Sequence, residues 1–329
     1  MKKVLTFGEI LIRQQSVSNS FFESPHNLLK IFPGGSEANV AVGLALMGDQ
    51  VEYVSAFPNN QLSEEILRML QQYGIDHSKV LRIGDRIGTY ILLSSNGLSS
   101  GDVIYDRKYS AFSQLTVNDI DVDVLLEGVD WLHWSALTPA LNENMAEVLL
   151  YVLEKAHAKG IAISVDLNYR SRLWQYGKKP IDIMPKLVNY CDVIMGNIWA
   201  SHQMLGTHID ETFNKETSKE TYVDFANQVA LEVFEKYPQA KHIAQTFRFI
   251  NEPTHNLFYG TYHNRIANAY SKTYETNKVV DRIGSGDAFM AGLIYGIRQE
   301  KDEQKIIDIA TGAGYEKLFV EGDFGNGKY

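Results

Sequence analysis

The sequence predicts an α/β fold with a mostly parallel central sheet, because short apolar strands alternate with helical patterns along most of the chain. Strands are predicted at residues 4–7, 51–56, 131–137, 161–167, 193–195 and 243–247. Helices are predicted at residues 36–47, 62–73, 142–159, 181–190 and 222–237. Such an alternation favours parallel strand pairing, with helices on both faces of the sheet.

Two stretches interrupt this alternation, at about residues 10–32 and 86–112. In the second stretch, short strands at residues 89–94 and 102–108 flank a turn that contains Asn96-Gly97 and Ser99-Ser100-Gly101. We therefore expect a separate small sheet, attached to one domain that spans residues 1–329.

Composition excludes several classes of function. The chain has 329 residues and a formal net charge of -9, which argues against a nucleic-acid-binding surface because such surfaces cluster Lys and Arg. The first residues form only a short apolar run, and no later segment is expected to cross a membrane. Cys191 is the only cysteine, which excludes an intrachain disulfide and suits a reducing cytoplasm. The histidines form no H-E-x-x-H pattern, so a zinc site has little support.

A glycine-rich turn precedes an apolar helical pattern near the end of the chain, in the segment Asp281-Arg282-Ile283-Gly284-Ser285-Gly286-Asp287-Ala288-Phe289. A helix that begins there would point the N–H groups of Gly284, Ser285 and Gly286 at an anion such as a phosphoryl group. Asp287 would repel a phosphate that was merely held, whereas a kinase needs an acceptor for the substrate hydroxyl proton. Taken alone, the segment could also be an ordinary helix cap.

An earlier motif opens another helix, in the segment Pro33-Gly34-Gly35-Ser36-Glu37-Ala38-Asn39. Small residues let a ligand approach the backbone closely, and the Asn39 amide can both donate and accept hydrogen bonds, as a sugar hydroxyl requires. We assign the substrate side of the site to Gly34, Gly35, Ser36, Glu37, Ala38 and Asn39. The alternative is a tightly packed helix without a ligand.

In their order and separation, these two motifs resemble the G-G-x-x-x-N and G-x-G-D segments of the PfkB (ribokinase-like) carbohydrate kinases. The resemblance spans nearly the whole chain and is greatest to the 2-keto-3-deoxygluconate kinases. It implies a three-layer ribokinase-like fold in which the small β-sheet is a lid over the sugar. It also implies ATP as the phosphoryl donor, Mg²⁺ carried on the ATP phosphates, and room for a monovalent cation. The exposed edges of a small sheet favour a homo-oligomer.

The middle of the sequence indicates an acidic sugar. Two arginines with tyrosine neighbours suit a substrate that bears a carboxylate, because a guanidinium pairs with a carboxylate in a bidentate fork. The resemblance assigns sugar-acid contacts to Tyr90, Tyr105, Arg107, Arg170 and Asp323. Alternatively, Arg107 and Arg170 are solvated or paired with Asp102, Asp106 or Asp166, and Asp323 belongs to a helix-terminating turn.

The chain departs from the family pattern at two places on the nucleotide side. The segment Asn197-Ile198-Trp199-Ala200 lacks the glutamate of the Asn-x-x-Glu motif, which puts direct metal ligation there in doubt. The segment Gln245-Thr246-Phe247-Arg248 lacks the expected glycine, and Arg248 is either a phosphate ligand or a surface residue. We assign the nucleotide side to Asn168, Asn197, Thr246, Arg248 and Gly312, with Gly312 leaving room for an adenine.

The sequence thus indicates an ATP-dependent sugar-acid kinase that uses Asp287 as its base. The helix N-terminus should favour the ionised form of Asp287 and make it a weak base, which phosphoryl transfer tolerates because positioning matters more. The alternatives are a kinase of a neutral sugar such as fructose or ribose, and a sugar-acid sensor that has lost phosphoryl transfer.

Overall fold

The computed structural model describes residues 2–17, 21–22, 28–93 and 103–329. Its strands are β1 (Lys3–Phe7), β2 (Leu11–Ser16), β3 (Leu29–Gly34), β4 (Val51–Val54), β5 (Ala56–Phe57), β6 (Leu81–Arg82), β7 (Gly88–Leu92), β8 (Val103–Asp106), β9 (Val129–Ser135), β10 (Ala162–Asp166), β11 (Val193–Gly196), β12 (His242–Phe249), β13 (Asn256–Asn264), β14 (Asn268–Tyr270) and β15 (Tyr274–Thr276). Its α-helices are α1 (Ser36–Met47), α2 (Gln61–Gln72), α3 (Val122–Leu125), α4 (Glu143–Ala158), α5 (Pro180–Val188), α6 (Ile198–Leu205), α7 (Lys219–Lys236), α8 (Ser285–Arg298) and α9 (Glu303–Glu316).

The large sheet has the strand order β14-β13-β12-β11-β10-β9-β1-β4, and β15 also pairs with β13. All pairs from β4 to β12 are parallel, which confirms the predicted fold class. Neighbouring residues of β1 belong to two different cores: Leu5 lies in the core that contains the apolar side chains of α4 and α7, whereas Val4 lies in the core that contains those of α1 and α8. This alternation explains why the strands read as continuous apolar runs, because both faces are covered by helices.

The small sheet has the order β3-β2-β7-β8. Strand β2 is antiparallel to β3 and parallel to β7, and β7 is antiparallel to β8 with Tyr90 opposite Tyr105. The predicted separate sheet and the pairing of its two later arms are therefore confirmed. The turn predicted around Asn96-Gly97 and Ser99-Ser100-Gly101 lies outside the described residues.

The structure adds an antiparallel edge that the strand–helix alternation did not predict. Strand β13 pairs antiparallel with β12, and β14 and β15 both pair antiparallel with β13. The missed signal is the apolar and aromatic run Leu257-Phe258-Tyr259, which has strand propensity but follows β12 without an intervening helix. No helix among residues 2–17, 28–93 and 103–329 is long and apolar enough to cross a bilayer.

Candidate active site

A cavity of about 480 Å³ lies where the carboxyl ends of β10 and β11 meet the small sheet and the start of α8. Ligands of open α/β sheets bind at this position because the turns that follow parallel strands converge there. The cavity brings together thirteen of the predicted residues: Gly35, Ser36, Asn39, Tyr90, Tyr105, Arg107, Asn168, Arg170, Asn197, Thr246, Arg248, Asp287 and Asp323. The predicted turn Gly284, Ser285 and Gly286 lines it as well.

Asp287 is held by the two side chains that the early motif supplies. Ser36 Oγ donates to Asp287 Oδ1 at 2.7 Å, and Asn39 Nδ2 donates to Oδ2 at 2.6 Å. Both residues line the cavity. However, Ser36 Oγ and Asn39 Nδ2 are bound to the Asp287 carboxylate and are not free to bind a sugar hydroxyl. The two motifs therefore form one constellation around Asp287.

Burial raises the pKa of Asp287 above its usual value, and the hydrogen bonds from Asn39 and Ser36 lower it by less. The expectation that the helix N-terminus would dominate and make Asp287 a weak base is therefore wrong in direction. Burial has the largest effect on this pKa, because removing a carboxylate from water disfavours its ionised form. A raised pKa makes Asp287 a better proton acceptor whenever it is ionised.

The turn of Gly284, Ser285 and Gly286 at the start of α8 is called the anion-binding turn below, after the role that the sequence predicts for it. Gly284 is left-handed, with φ of 81°, and a Cβ placed on it would lie 2.0 Å from the carbonyl oxygen of Asp323. Only glycine fits this position. Among the described residues, no hydrogen-bond acceptor takes the N–H of Gly286, so this donor of the first helical turn remains available at the cavity.

Tyr90, Tyr105 and Asp323, which the resemblance assigns to the sugar acid, lie together at the cavity. Tyr90 Oη donates to Asp323 Oδ2 at 2.7 Å, and the Tyr90 and Tyr105 ring centroids lie 6.4 Å apart. Burial raises the pKa of Asp323 to about 6, although the nearby Arg13 guanidinium lowers it. Asp323 therefore faces the cavity from a buried position rather than from a solvent-exposed turn.

The two predicted substrate arginines differ in their surroundings. Arg107 is buried and its Nε donates to Glu9 Oε2 at 2.7 Å, while its Nη1 is buried with no hydrogen-bond partner among the described residues. Arg170 is exposed at the cavity. Asp106 pairs with Arg86 at 2.6 Å, and Asp102 lies outside the described residues. Arg107 therefore already has a protein partner, whereas Arg170 is exposed at the cavity.

The residues assigned to the nucleotide side have separate local roles. Arg248 donates to Ser285 Oγ, so it contacts the anion-binding turn. Part of the Arg248 residue is exposed, yet protein atoms crowd its guanidinium, and burial together with Arg170 and Arg282 lowers its pKa to about 10. Thr246 Oγ1 donates to the Gly196 carbonyl at 3.3 Å. Like charges gathered around Ser285 favour an anion at this end of the cavity.

The two asparagines of this group contact protein atoms. Asn197 Oδ1 caps α6 by accepting from the Ala200 N–H at 2.8 Å. Asn168 Nδ2 donates to Ser36 Oγ at 3.3 Å, which places Asn168 beside the Asp287 constellation. Both asparagine side chains therefore already have a protein partner at the cavity.

Four predicted residues do not line the cavity. Gly34 lies behind Asp323, where a Cβ would come within 2.1 Å of the carboxylate, and Ala38 is buried in the core. Glu37 is buried and accepts from the Ser135 N–H at 2.8 Å, with its pKa raised to about 7 by burial. A Cβ on Gly312 would lie 2.9 Å from the Tyr329 backbone, so the space expected for an adenine is occupied. These four support the site from behind or lie outside it.

Other residues at the site were not predicted. Asp166 ends β10 and faces the cavity, and burial together with Asp287 raises its pKa to about 7. Arg282 lines the cavity beside the anion-binding turn, and Arg13 and Asp281 form a buried ion pair behind it. The sequence shows Asp166 at the end of a predicted strand and Asp281 before the glycine turn. No sequence feature distinguishes a buried arginine such as Arg13 from a solvated one.

A family model described as pfkB family carbohydrate kinase matches residues 1–233. The 2-dehydro-3-deoxygluconokinase of Bacillus subtilis is 27% identical over 291 residues, which cover 88% of this chain and 81% of that protein. The crystal structure of the 2-dehydro-3-deoxygluconokinase from Thermotoga maritima superposes with a TM-score of 0.89 at 33% identity, covering 98% of this chain and 96% of that one. A PfkB family carbohydrate kinase from Listeria grayi superposes with a TM-score of 0.86 at 29% identity, covering 99% and 96%. The parallel sheet, the small sheet and the paired glycine motifs are therefore those of a ribokinase-like fold, and the chain belongs to the pfkB family of carbohydrate kinases.

Proposed function

We propose that this kinase transfers the γ-phosphoryl group of ATP to the terminal hydroxyl of a sugar acid, 2-keto-3-deoxygluconate, and forms 2-keto-3-deoxy-6-phosphogluconate. The observation that carries the proposal is one cavity that joins a buried carboxylate, a helix N-terminus and an exposed arginine. These are the groups that a phosphoryl transfer to an acidic sugar requires.

In this proposal Asp287 accepts the proton of the sugar hydroxyl as that oxygen attacks the γ-phosphorus. Ser36 and Asn39 fix both carboxylate oxygens, so the acceptor has one orientation before the sugar binds. The backbone N–H groups of the turn from Gly284 to Gly286 then donate to the oxygens of the phosphoryl group as it transfers. The leaving group is the terminal phosphate oxygen of ADP.

The carboxylate of the sugar acid would be bound by Arg170, with Arg107 contributing its unpartnered Nη1. A buried donor without an acceptor is costly, so a substrate oxygen that reaches Nη1 would stabilise the complex. Two relatives named 2-dehydro-3-deoxygluconokinase, at 27% and 33% identity, support the same substrate class.

The ATP phosphates would lie against Arg248, Arg282 and the anion-binding turn. Among the described residues, no group of three or more His, Cys, Asp or Glu side chains is placed to hold a metal ion. Mg²⁺ fits this site through the phosphates and water, with Asp166 and Asp287 as facing carboxylates, and would neutralise phosphate charge there. A monovalent cation remains a further expectation of the resemblance.

The test is a panel of sugars assayed with ATP and Mg²⁺. The panel contains 2-keto-3-deoxygluconate, its reduced neutral analogue, fructose, ribose and 5-keto-2-deoxygluconate. We expect kcat/KM to be greatest for 2-keto-3-deoxygluconate. A higher value for fructose or ribose would instead identify a neutral-sugar kinase. Binding of the sugar acid without turnover would identify a sensor.

A further inference from the structure

Arg13 is a fully buried cation at the contact between the small sheet and the anion-binding turn. It lies on β2, where its side chain has no exposed surface. Its Nη2 donates to Asp281 Oδ2 at 2.6 Å, and its Nε lies 3.2 Å from Asp323 Oδ1, within ion-pair distance. The Phe32 ring covers the guanidinium, with its centroid 4.3 Å from Cζ. One side chain of the small sheet therefore engages two acids of the main body.

The two acids that Arg13 binds also shape the backbone of the site. Asp281 Oδ1 accepts from the Ile283 N–H at 2.9 Å, and Oδ2 accepts from the Gly322 N–H at 3.1 Å. Asp281 thus fixes both the turn that leads to Gly284 and the turn that carries Asp323. Because the Asp323 carbonyl packs directly against Gly284, a shift of either turn displaces the other.

Arg13 belongs to a buried cluster of four charged residues, the others being Asp281, Asp323 and Lys317. The two negative charges of this cluster are balanced only when Arg13 is present. Asp281 and Asp323 are both nearly inaccessible to solvent, and the second cation is Lys317, whose Nζ donates to the Val320 carbonyl at 2.8 Å. Burial lowers the pKa of Lys317 to about 8 despite the two aspartates. Removing one partner from a buried ion pair leaves an uncompensated charge, which the protein relieves by moving the group or by protonating it.

We propose that Arg13 is a positioning residue that fastens the small sheet to the anion-binding turn and maintains Asp323 as an ionised hydrogen-bond acceptor for the substrate. This role rests on the proposed contacts of Asp323 and of the turn from Gly284 to Gly286. It extends them to a residue that contacts neither substrate. Arg13 acts through geometry, by fixing Asp281, and through charge, by opposing the protonation of Asp323.

Two variants separate these effects. Arg13→Lys keeps the charge but cannot reach both carboxylates with a planar fork, so it tests geometry. Arg13→Gln removes the charge. The matched control is Arg298→Lys, because Arg298 also bridges two aspartates, Asp49 at 3.3 Å and Asp130 at 2.9 Å, and does not line the cavity.

We expect Arg13→Lys to lower kcat/KM roughly 10- to 100-fold, which is the usual effect of a small displacement of reacting groups. Arg13→Gln should also move the acidic limb of the kcat/KM profile to higher pH by about one unit or more. The direction of this pH shift follows from the charges of the groups that face Asp323. These groups are Arg13 on β2, Tyr90 on β7, Asp281 before α8 and Lys317 after α9. Arg13 lowers the pKa of Asp323, so its loss raises that pKa and the ionised form disappears at a higher pH.

The proposal is overturned if Arg13→Lys retains the kcat/KM of the wild type, if the limb does not move in Arg13→Gln, or if Arg298→Lys causes equal kinetic losses. If neither Arg13 variant folds, hydrogen exchange of the wild type tests whether the small sheet is fastened to the anion-binding turn. Amides of β2 and of residues 283–286 should then open together, and a tenfold faster exchange in β2 would contradict the fastening. The sugar is whichever one the wild type phosphorylates, so failure of 2-keto-3-deoxygluconate as the substrate leaves this test intact.

Discussion

The two sides of the cavity differ in how firmly their polar groups are held. On the α8 side, both oxygens of Asp287 already accept hydrogen bonds, and the backbone turn admits only glycine at position 284. On the small-sheet side, the described residues form only a small buried apolar cluster of Leu11, Tyr90 and Leu92, and among them no group accepts a hydrogen bond from Arg107 Nη1. If the two sides have the roles proposed above, the groups for the chemistry are held in place before the ligand binds, whereas the groups for sugar recognition gain their partners only from the ligand.

The largest effect should come from the α8 side. We expect Asp287→Asn to lower kcat by about 100- to 10,000-fold, because the proton acceptor is lost while the shape is kept. Sugar affinity should stay within a few-fold, since the Ser36 hydroxyl can rotate to accept from the new amide. Steady-state kinetics and calorimetric titration with the sugar measure the two quantities.

The control for this variant is Asp302→Asn, because Asp302 is also an aspartate at a helix N-terminus and caps α9 by accepting from the Lys305 N–H at 2.9 Å. Asparagine is an equally good cap, so kinetics and stability should be unchanged. A near-normal kcat in Asp287→Asn would contradict the assignment of Asp287 as the base. The α8 side could then no longer be regarded as the side that carries the chemistry.

A smaller effect is expected on the affinity for the sugar acid. Arg170→Met should weaken binding of the sugar acid roughly 10- to 150-fold, which is the contribution of a hydrogen-bonded charge pair. Its reduced neutral analogue should lose far less. Both affinities are measured by calorimetry, with Arg68→Met as the control because Arg68 is exposed on α2, does not line the cavity and donates to the Glu64 carbonyl. Equal losses for the acid and the analogue would show that Arg170 does not bind a carboxylate.

The smallest effect concerns motion of the small sheet. Adding the sugar acid with a non-hydrolysable ATP analogue should slow hydrogen exchange in Gly88–Leu92 and Val103–Asp106. The slowing should be about tenfold when the ligand is present at ten times its Kd. Closure of this sheet over the sugar would also exclude water that competes for the γ-phosphate. Exchange that is already as slow as in β9 without ligands would show that the sheet is rigid and not a lid.

The sequence was sufficient for elements and motifs whose signals are local. The glycine turns that open α1 and α8, the strand–helix alternation and the arms of the small sheet follow from residue type and spacing, and the described residues contain them. The sequence could not show that Asn39 and Ser36 would bind Asp287, because the spacing along each segment does not encode the contact between them. Nor could it separate Gly312, which is packed against Tyr329, from a glycine that leaves open space.

Electrostatics were the least predictable part of the site. Asp287 lies in the first turn of α8, which favours its ionised form, but its burial depends on the docking of α1 against α8. The sequence did not indicate that Arg13 is buried, because its strand neighbours Gln14 and Gln15 are also polar. Burial is set by the tertiary arrangement, and the sign of a pKa shift depends on burial.

The hydrogen bonds to Asp287 also have a consequence for how the protein acquires activity during folding. Ser36 and Asn39 precede Asp287 by 251 and 248 residues, so these contacts are among the most non-local in the chain. Non-local contacts form late, because the entropy of closing a long loop must be overcome before they stabilise anything. A nascent or partly refolded chain can thus contain a complete α1 and most of the parallel sheet before the Asp287 carboxylate, the proposed proton acceptor, is oriented. Phosphoryl transfer is in this sense a property of the completed fold and not of either motif.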